Sequence, residues 1–129
     1  MYKGFLVWAA VMGALAVIFG AFGAHKLKEL VTPDSVAVFQ TGVTYQFYHV
    51  FALLAVAILS NWMPGPQLTW AGRLFIIGTF LFSGSLYAMV LFRAAGMEFP
   101  KAVGAVTPLG GLCYIAGWVL LLLAVLKGK

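Results

Sequence analysis

The stretch GVTYQFYHVFALLAVAILSN, Gly42 to Asn61, decides the fold. It carries no charged residue, and its length matches the roughly 20 residues a helix needs to cross a bilayer core. Its second half is plain apolar sequence. Its first half is not: TYQFYHVF, Thr44 to Phe51, places two tyrosines, Gln46 and His49 where a span is usually bland. Polar side chains inside hydrocarbon face a bundle interior and pair with one another. This segment therefore calls for neighbours.

Three further apolar runs supply them: Gly4–Ala24, Trp70–Phe92 and Thr107–Leu126. With the second span they make four. The chain of 129 residues is 64% hydrophobic and only 9% charged, against about 25% charged in a soluble domain. It cannot cover a water-facing surface. The expectation is an all-α fold, a single integral membrane domain over residues 1–129, built as a four-transmembrane-helix bundle with both termini on the same side. A barrel is excluded because the runs lack alternating apolar and polar positions. Lys3, the apolar run and AFG (Ala21–Gly23) resemble a signal peptide, but Gly4–Ala24 exceeds the usual 7–15-residue core of one. The first segment is therefore expected to be a retained span.

The net charge of +5 comes from basic residues scattered near the ends of the runs. That placement suits lipid headgroups rather than nucleic acid. The partner expected from composition is the lipid bilayer. Cys113 is the only cysteine, so no intrachain disulfide forms. Lys3, Arg73, Lys127 and Lys129 fall on the terminal side, and Lys26, Lys28, Arg93 and Lys101 on the loop side. The tie leaves orientation open, with cytoplasmic termini as the working choice.

The connections carry signals of their own. HKLKEL (His25–Leu30) is a short amphipathic, interfacial segment between helices one and two. TPDS follows, with Thr32 as N-cap, Pro33 at the first helical position and Asp34 in the first turn. Helix two is thus expected from about Pro33 to Asn61, some 43 Å long at ~1.5 Å per residue. NWMPGPQ (Asn61–Gln67) is a tight turn with Trp62 at the interface. RAAGMEFPKAVG (Arg93–Gly104) has room for a small interfacial or re-entrant piece.

Counting depth from the loop side gathers the polar residues into one half of the membrane. His25 ends helix one there. Gln46 and His49 lie about 6–10 Å in from Gly42, Tyr87 about 8 Å and Ser83 about 14 Å from Phe92, and Tyr114 about 10 Å from the start of helix four. Gly42, Gln46 and His49 share a helical face, as do Thr79, Ser83 and Tyr87; Gly110, Tyr114 and Gly117; and Thr107, Gly111 and Trp118. Gly13, Gly20 and Ala24 give helix one a small-residue face for close packing. His25, Gln46, His49, Ser83, Ser85, Tyr87, Thr107 and Tyr114 form the candidate ligand-binding or polar cluster, with no catalytic residue and no metal ligand set.

Plainer readings stand beside these. His49 can serve purely as a structural hydrogen-bonding group across the bundle, and His25 as an interfacial residue. Ser83 and Ser85 can bond carbonyls one turn back in their own helix. Trp8, Trp62, Trp70 and Trp118 read as belt or core residues. A haem or metal site on His25 and His49 is disfavoured by their roughly 10 Å difference in depth. A serine hydrolase on Ser83 or Ser85 with His49 lacks an acidic orienter and the strained nucleophile turn. No cofactor is called for.

GAFGAH (Gly20–His25), YQFYH (Tyr45–His49), FSGSLY (Phe82–Tyr87), TPLGG (Thr107–Gly111) and GW (Gly117–Trp118) together resemble the blocks of the small bacterial membrane proteins called domain of unknown function 423. Eukaryotic transmembrane protein 256 is similar. The resemblance implies a four-helix protein of the bacterial cytoplasmic (inner) membrane and carries no established activity or catalytic residues. The expected role is a non-enzymatic module that binds or translocates a small solute, ion or lipid at the polar cluster. The alternative is a structural or assembly subunit of a homo-oligomer or larger membrane complex.

Overall fold

Four long helices run up and down in chain order: α1 (Lys3–Ala24), α2 (Pro33–Leu59), α3 (Pro66–Ala94) and α4 (Val106–Lys127). They are seen in a computed structural model that describes residues 2–128. Lys129, counted above on the terminal side, lies outside the described residues. All four helices are long and apolar enough to cross a membrane. Among the described residues there is no strand.

The ends form where local chemistry allows. Thr32 caps α2, its Oγ1 accepting from the Ser35 N–H at 3.4 Å, with Pro33 in the first turn. That satisfies one of the free N-terminal donors. α3 begins at Pro66 after Gly65, earlier than the apolar run at Trp70 suggested, because proline at a first helical position is already set for the helix. It ends in a Schellman motif: Gly96 takes φ +73°, its N–H reaches Arg93 O, and the Met97 N–H reaches Phe92 O at 2.8 Å. α2 stops at Leu59, two residues short of the expected Asn61. The expected segment between α1 and α2 contains a 3₁₀ turn, Lys26–Glu29, whose Leu27 is buried beside Phe39, Val43 and Val90. A single helical turn, Lys101–Gly104, fills part of the linker before α4.

α2 is the central helix. Half of its most apolar window is buried, against 17% for α1 and 22% for α4. α1 lies along α2, α2 meets α3, and α4 lies along α3. The core toward the terminal side is Phe75, Leu68 and Ala71 of α3 against Val56 of α2 and Ala124 of α4. Lipid tails are as apolar as these side chains, so close packing and interhelical hydrogen bonds hold such a bundle together.

Close glycine contacts set the register. A Cβ on Gly13 would lie 3.5 Å from Val50, one on Gly20 3.4 Å from Val43, and one on Gly23 3.1 Å from the Phe39 ring. The numbers run oppositely, so α1 and α2 are antiparallel, and the loop-side end of α1 sits level with Phe39. His49 is ten residues further along, about 15 Å deeper.

α3 contains an irregularity the sequence did not announce. Thr79–Ser83 forms a π-helical turn, with the Gly84 N–H bonded to Thr79 O five residues back. Gly110 of α4 packs directly against this turn. A Cβ there would fall on the backbone of Leu81 and Phe82.

Candidate functional site

Gln46 is the first node of the polar layer. Its side chain is buried, and Nε2 donates to Met12 O of α1 at 2.6 Å. The Tyr87 hydroxyl of α3 donates to Oε1 at 2.6 Å. Both halves of one amide therefore tie three helices together. Ser83 adds a second α2–α3 link, donating to Gly42 O at 2.7 Å. The plainer alternative, a Ser83 bond to a carbonyl of its own helix, is not the one formed. α2 and α3 approach so closely at Gly42 that an interhelical carbonyl is within reach.

Leucine at position 46 would leave the Tyr87 hydroxyl without its acceptor. Gln46→Leu is expected to cost about 1–2 kcal/mol. Adding Tyr87→Phe should recover most of that loss, since removing both partners leaves nothing unpaired. Equilibrium unfolding in mixed micelles measures both. A double variant as unstable as Gln46→Leu alone would mean that the pair is not made.

His49 is the second node, one turn deeper. Nδ1 lies 2.7 Å from Tyr45 O, and Nε2 lies 3.0 Å from Trp118 Nε1 of α4. An indole N–H only donates and a carbonyl only accepts. The pair therefore requires the neutral Nδ1–H tautomer, with both ring nitrogens engaged. The Tyr114 ring stacks on the imidazole, centroids 3.4 Å apart and planes 4° off parallel. The Tyr114 hydroxyl donates to Thr79 Oγ1 at 3.0 Å, and Thr79 in turn donates to Phe75 O. The Phe75 ring lies tilted against the imidazole, 5.5 Å between centroids.

Not every expected residue joins these nodes. His25 is exposed at the end of α1, about 15 Å from His49 in depth alone. It falls outside the cluster because GAFGAH places it past the last helical turn. Ser85 and Thr107 pair with each other between α3 and α4, and Ser85 also bonds Phe82 O in its own helix, as expected. That link lies toward the loop side of the main layer. Neither serine bonds His49; each has its own acceptor. Among the described residues, no buried side-chain nitrogen or oxygen lacks a partner. Two contributors went unassigned at the level of sequence. Thr79 was visible in the stripe with Ser83 and Tyr87. Trp118, read as belt or core, stands four residues after Tyr114 and therefore over the same side of α4.

Beside the second node a groove opens between α2 and α4 toward the membrane. Its volume is about 710 Å³, lined by Tyr45, Tyr48, His49 and Phe51 of α2, Phe82 of α3, and Gly111, Tyr114, Ile115 and Trp118 of α4. Tyr45 and Tyr48 form part of its wall. Tyr45 packs on Phe82 at 4.9 Å between centroids, and Phe82 on Tyr114 at 5.5 Å. Gly111 keeps the groove wide. A Cβ there would meet only the Phe82 ring at 3.9 Å, an ordinary contact.

Comparison with known proteins places this geometry in a family. Residues 19–111 match the model described as "Protein of unknown function (DUF423)". Among curated proteins the chain is similar to the UPF0382 membrane protein SAB0533 of Staphylococcus aureus, 38% identical over 97% of each chain. It is likewise 38% identical to the UPF0382 membrane protein YwdK of Bacillus subtilis, over 97% of this chain and 98% of that one. The UPF0382 inner membrane protein YgdD of Escherichia coli K12 is 36% identical over 96% of this chain and 90% of its own. No solved structure matches.

Proposed function

The chain belongs to the DUF423 family of multi-pass membrane proteins, and from that premise we propose that it is a non-enzymatic module that takes up a lipid-like amphiphile sideways from the bilayer, in the groove between α2 and α4. One observation carries this reading: an aromatic-walled groove whose buried polar floor is already hydrogen-bonded within the protein. Ligand sites of about 300–1,000 Å³ are mostly apolar with a few placed polar groups, and the groove fits that description. The paired floor favours an apolar body over an ion or polar solute. A polar guest seeking the floor would have to compete with the His49–Trp118 bond. Tyrosine side chains in a helix lean toward its N-terminus, which for α2 is the loop side. Tyr45 and Tyr48 thus lean toward the end where a lipid's polar group would lie. A non-enzymatic role is supported by His49, whose two nitrogens are both engaged.

Gly111→Leu is the test. The new side chain would grow into open groove, so the fold should hold while the occupant is displaced. Loss of ~1 kcal/mol of packing lowers lipid occupancy about fivefold. Native mass spectrometry of lipids retained through purification reads that occupancy. Equal retention by wild type and Gly111→Leu, with both folded, would remove the groove as the binding site.

A further inference from the structure

The linker end of the bundle holds a second recess. It is about 520 Å³ and lined by Met89 and Arg93 of α3, Met97, Glu98, Phe99 and Pro100 of the linker, and Lys101 and Gly104 of the single turn before α4. We propose that this recess holds the phosphodiester headgroup of a phospholipid whose acyl chain lies in the α2–α4 groove. The proposal rests on the groove reading above and names the class of lipid.

Three observations converge on it. The first is charge. Arg93, Lys101 and one acid, Glu98, line the recess, leaving one net positive charge. A phosphodiester carries one negative charge. Basic recesses between transmembrane helices are a recurrent form of lipid headgroup site. The second is placement of the donors. Arg93 spends one N–H on Ser35 Oγ of α2 at 3.1 Å. That bond draws the guanidinium toward the α2 side, and a guanidinium carries five N–H donors in a fixed fork suited to phosphate oxygens. Among the described residues the only salt bridge joins Lys26 to Glu29, so neither Arg93 nor Lys101 is neutralised by an ion pair.

The third is span. Met89 and Arg93 lie at i and i+4 on one stripe of α3, beyond the π-turn that holds Phe82. Phe82 floors the groove, and Arg93 lines the recess. Eleven residues separate them, about 16 Å along the helix. That is close to half of a ~30 Å hydrocarbon core, the depth reached by an acyl chain of one leaflet. His49, in the groove, stands ten residues along α2 from Phe39 at the loop-side end of α1, about 15 Å. Headgroup recess and chain groove are thus spaced as the two parts of one single-leaflet lipid.

Competitive binding to delipidated protein in detergent tests this with three probes: dioleoyl phosphatidylglycerol, dioleoylglycerol, which keeps the chains and lacks the phosphate, and inorganic phosphate. Wild type is expected to favour phosphatidylglycerol over dioleoylglycerol by about tenfold. Arg93→Gln with Lys101→Gln should bring that ratio near unity with dioleoylglycerol binding unchanged, and Arg93→Lys with Lys101→Arg should restore much of it. Gly111→Leu should weaken both lipids alike and leave the ratio in place. A ratio unmoved by the glutamine pair would overturn the headgroup assignment alone. Unchanged binding of both lipids to Gly111→Leu would instead overturn the groove. Displacement of phosphatidylglycerol by inorganic phosphate at equal affinity would reassign the recess to the free anion and overturn the lipid source.

Discussion

Gly110→Ala is expected to loosen the α3–α4 pair and give the largest stability loss of any single methyl addition in the bundle, about 3 kcal/mol. Overpacking a tight interior costs about 1–3 kcal/mol when side chains can shift. At Gly110 the obstacle is the backbone of Leu81 and Phe82, which cannot rotate away as a side chain can. The helices would have to separate, and with them the Tyr114–Thr79 bond and the Ser85–Thr107 pair would loosen. The neighbouring residue is the control. Gly111→Ala meets only ordinary contact and replaces the poorer helix former, so it should be neutral or gain up to ~1 kcal/mol. Unfolding in mixed micelles compares the two. A Gly110→Ala protein as stable as Gly111→Ala would mean that α4 is rotated from the face described.

His49→Ala is expected to cost about 2–4 kcal/mol, and the loss can be divided. The imidazole–Tyr114 stack contributes ~0.5–1.5 kcal/mol. The hydrogen bond to Trp118 contributes about 0.6–1.7 kcal/mol, the range found for interhelical bonds in membranes. The vacated space accounts for the rest. His49→Phe keeps a ring against Tyr114 but leaves the Trp118 N–H without its acceptor, so it should cost about 1–2 kcal/mol. Trp118→Phe in that background should add little more than its own loss of packing. The four proteins form a double-mutant cycle with an expected coupling of at least ~0.5 kcal/mol. Strict additivity would show that the indole and imidazole are not bonded.

These two residues also mark where sequence reasoning succeeds and where it stops. The spans were legible because bilayer thickness converts directly into run length, and the start of α2 because Thr32, Pro33 and Asp34 spell a helix N-terminus. Gln46, His49, Tyr87 and Tyr114 were legible as inward faces because helical periodicity is local. Which helices they join was not, since it depends on how Gly13, Gly20 and Gly23 seat α1 against α2, a relation between segments. Ser83 shows the same limit. Its face was right, but its acceptor, Gly42 O, belongs to another helix. Trp118 was passed over because an interfacial tryptophan and one bonded to a buried imidazole look alike in sequence. His25 was drawn in because depth counting set the end of helix one on the same side as the polar residues, although the chain leaves the helix just before it.

The wide turn at Thr79–Ser83 has a consequence for how α3 is counted. Each residue of an α-helix turns the chain by about 100°, so one surplus residue acts as a phase setting between two shafts. Below it, Phe75 and Gly78 are indexed to α4; above it, Ser83 and Tyr87 are indexed to α2. Deleting the surplus residue within the turn would restore a regular helix and leave Tyr87 on Gln46 and Arg93 on Ser35. The same deletion in the regular helix just beyond the turn would swing everything after it by about 100°, rotating the loop-side end of α3 out of gear.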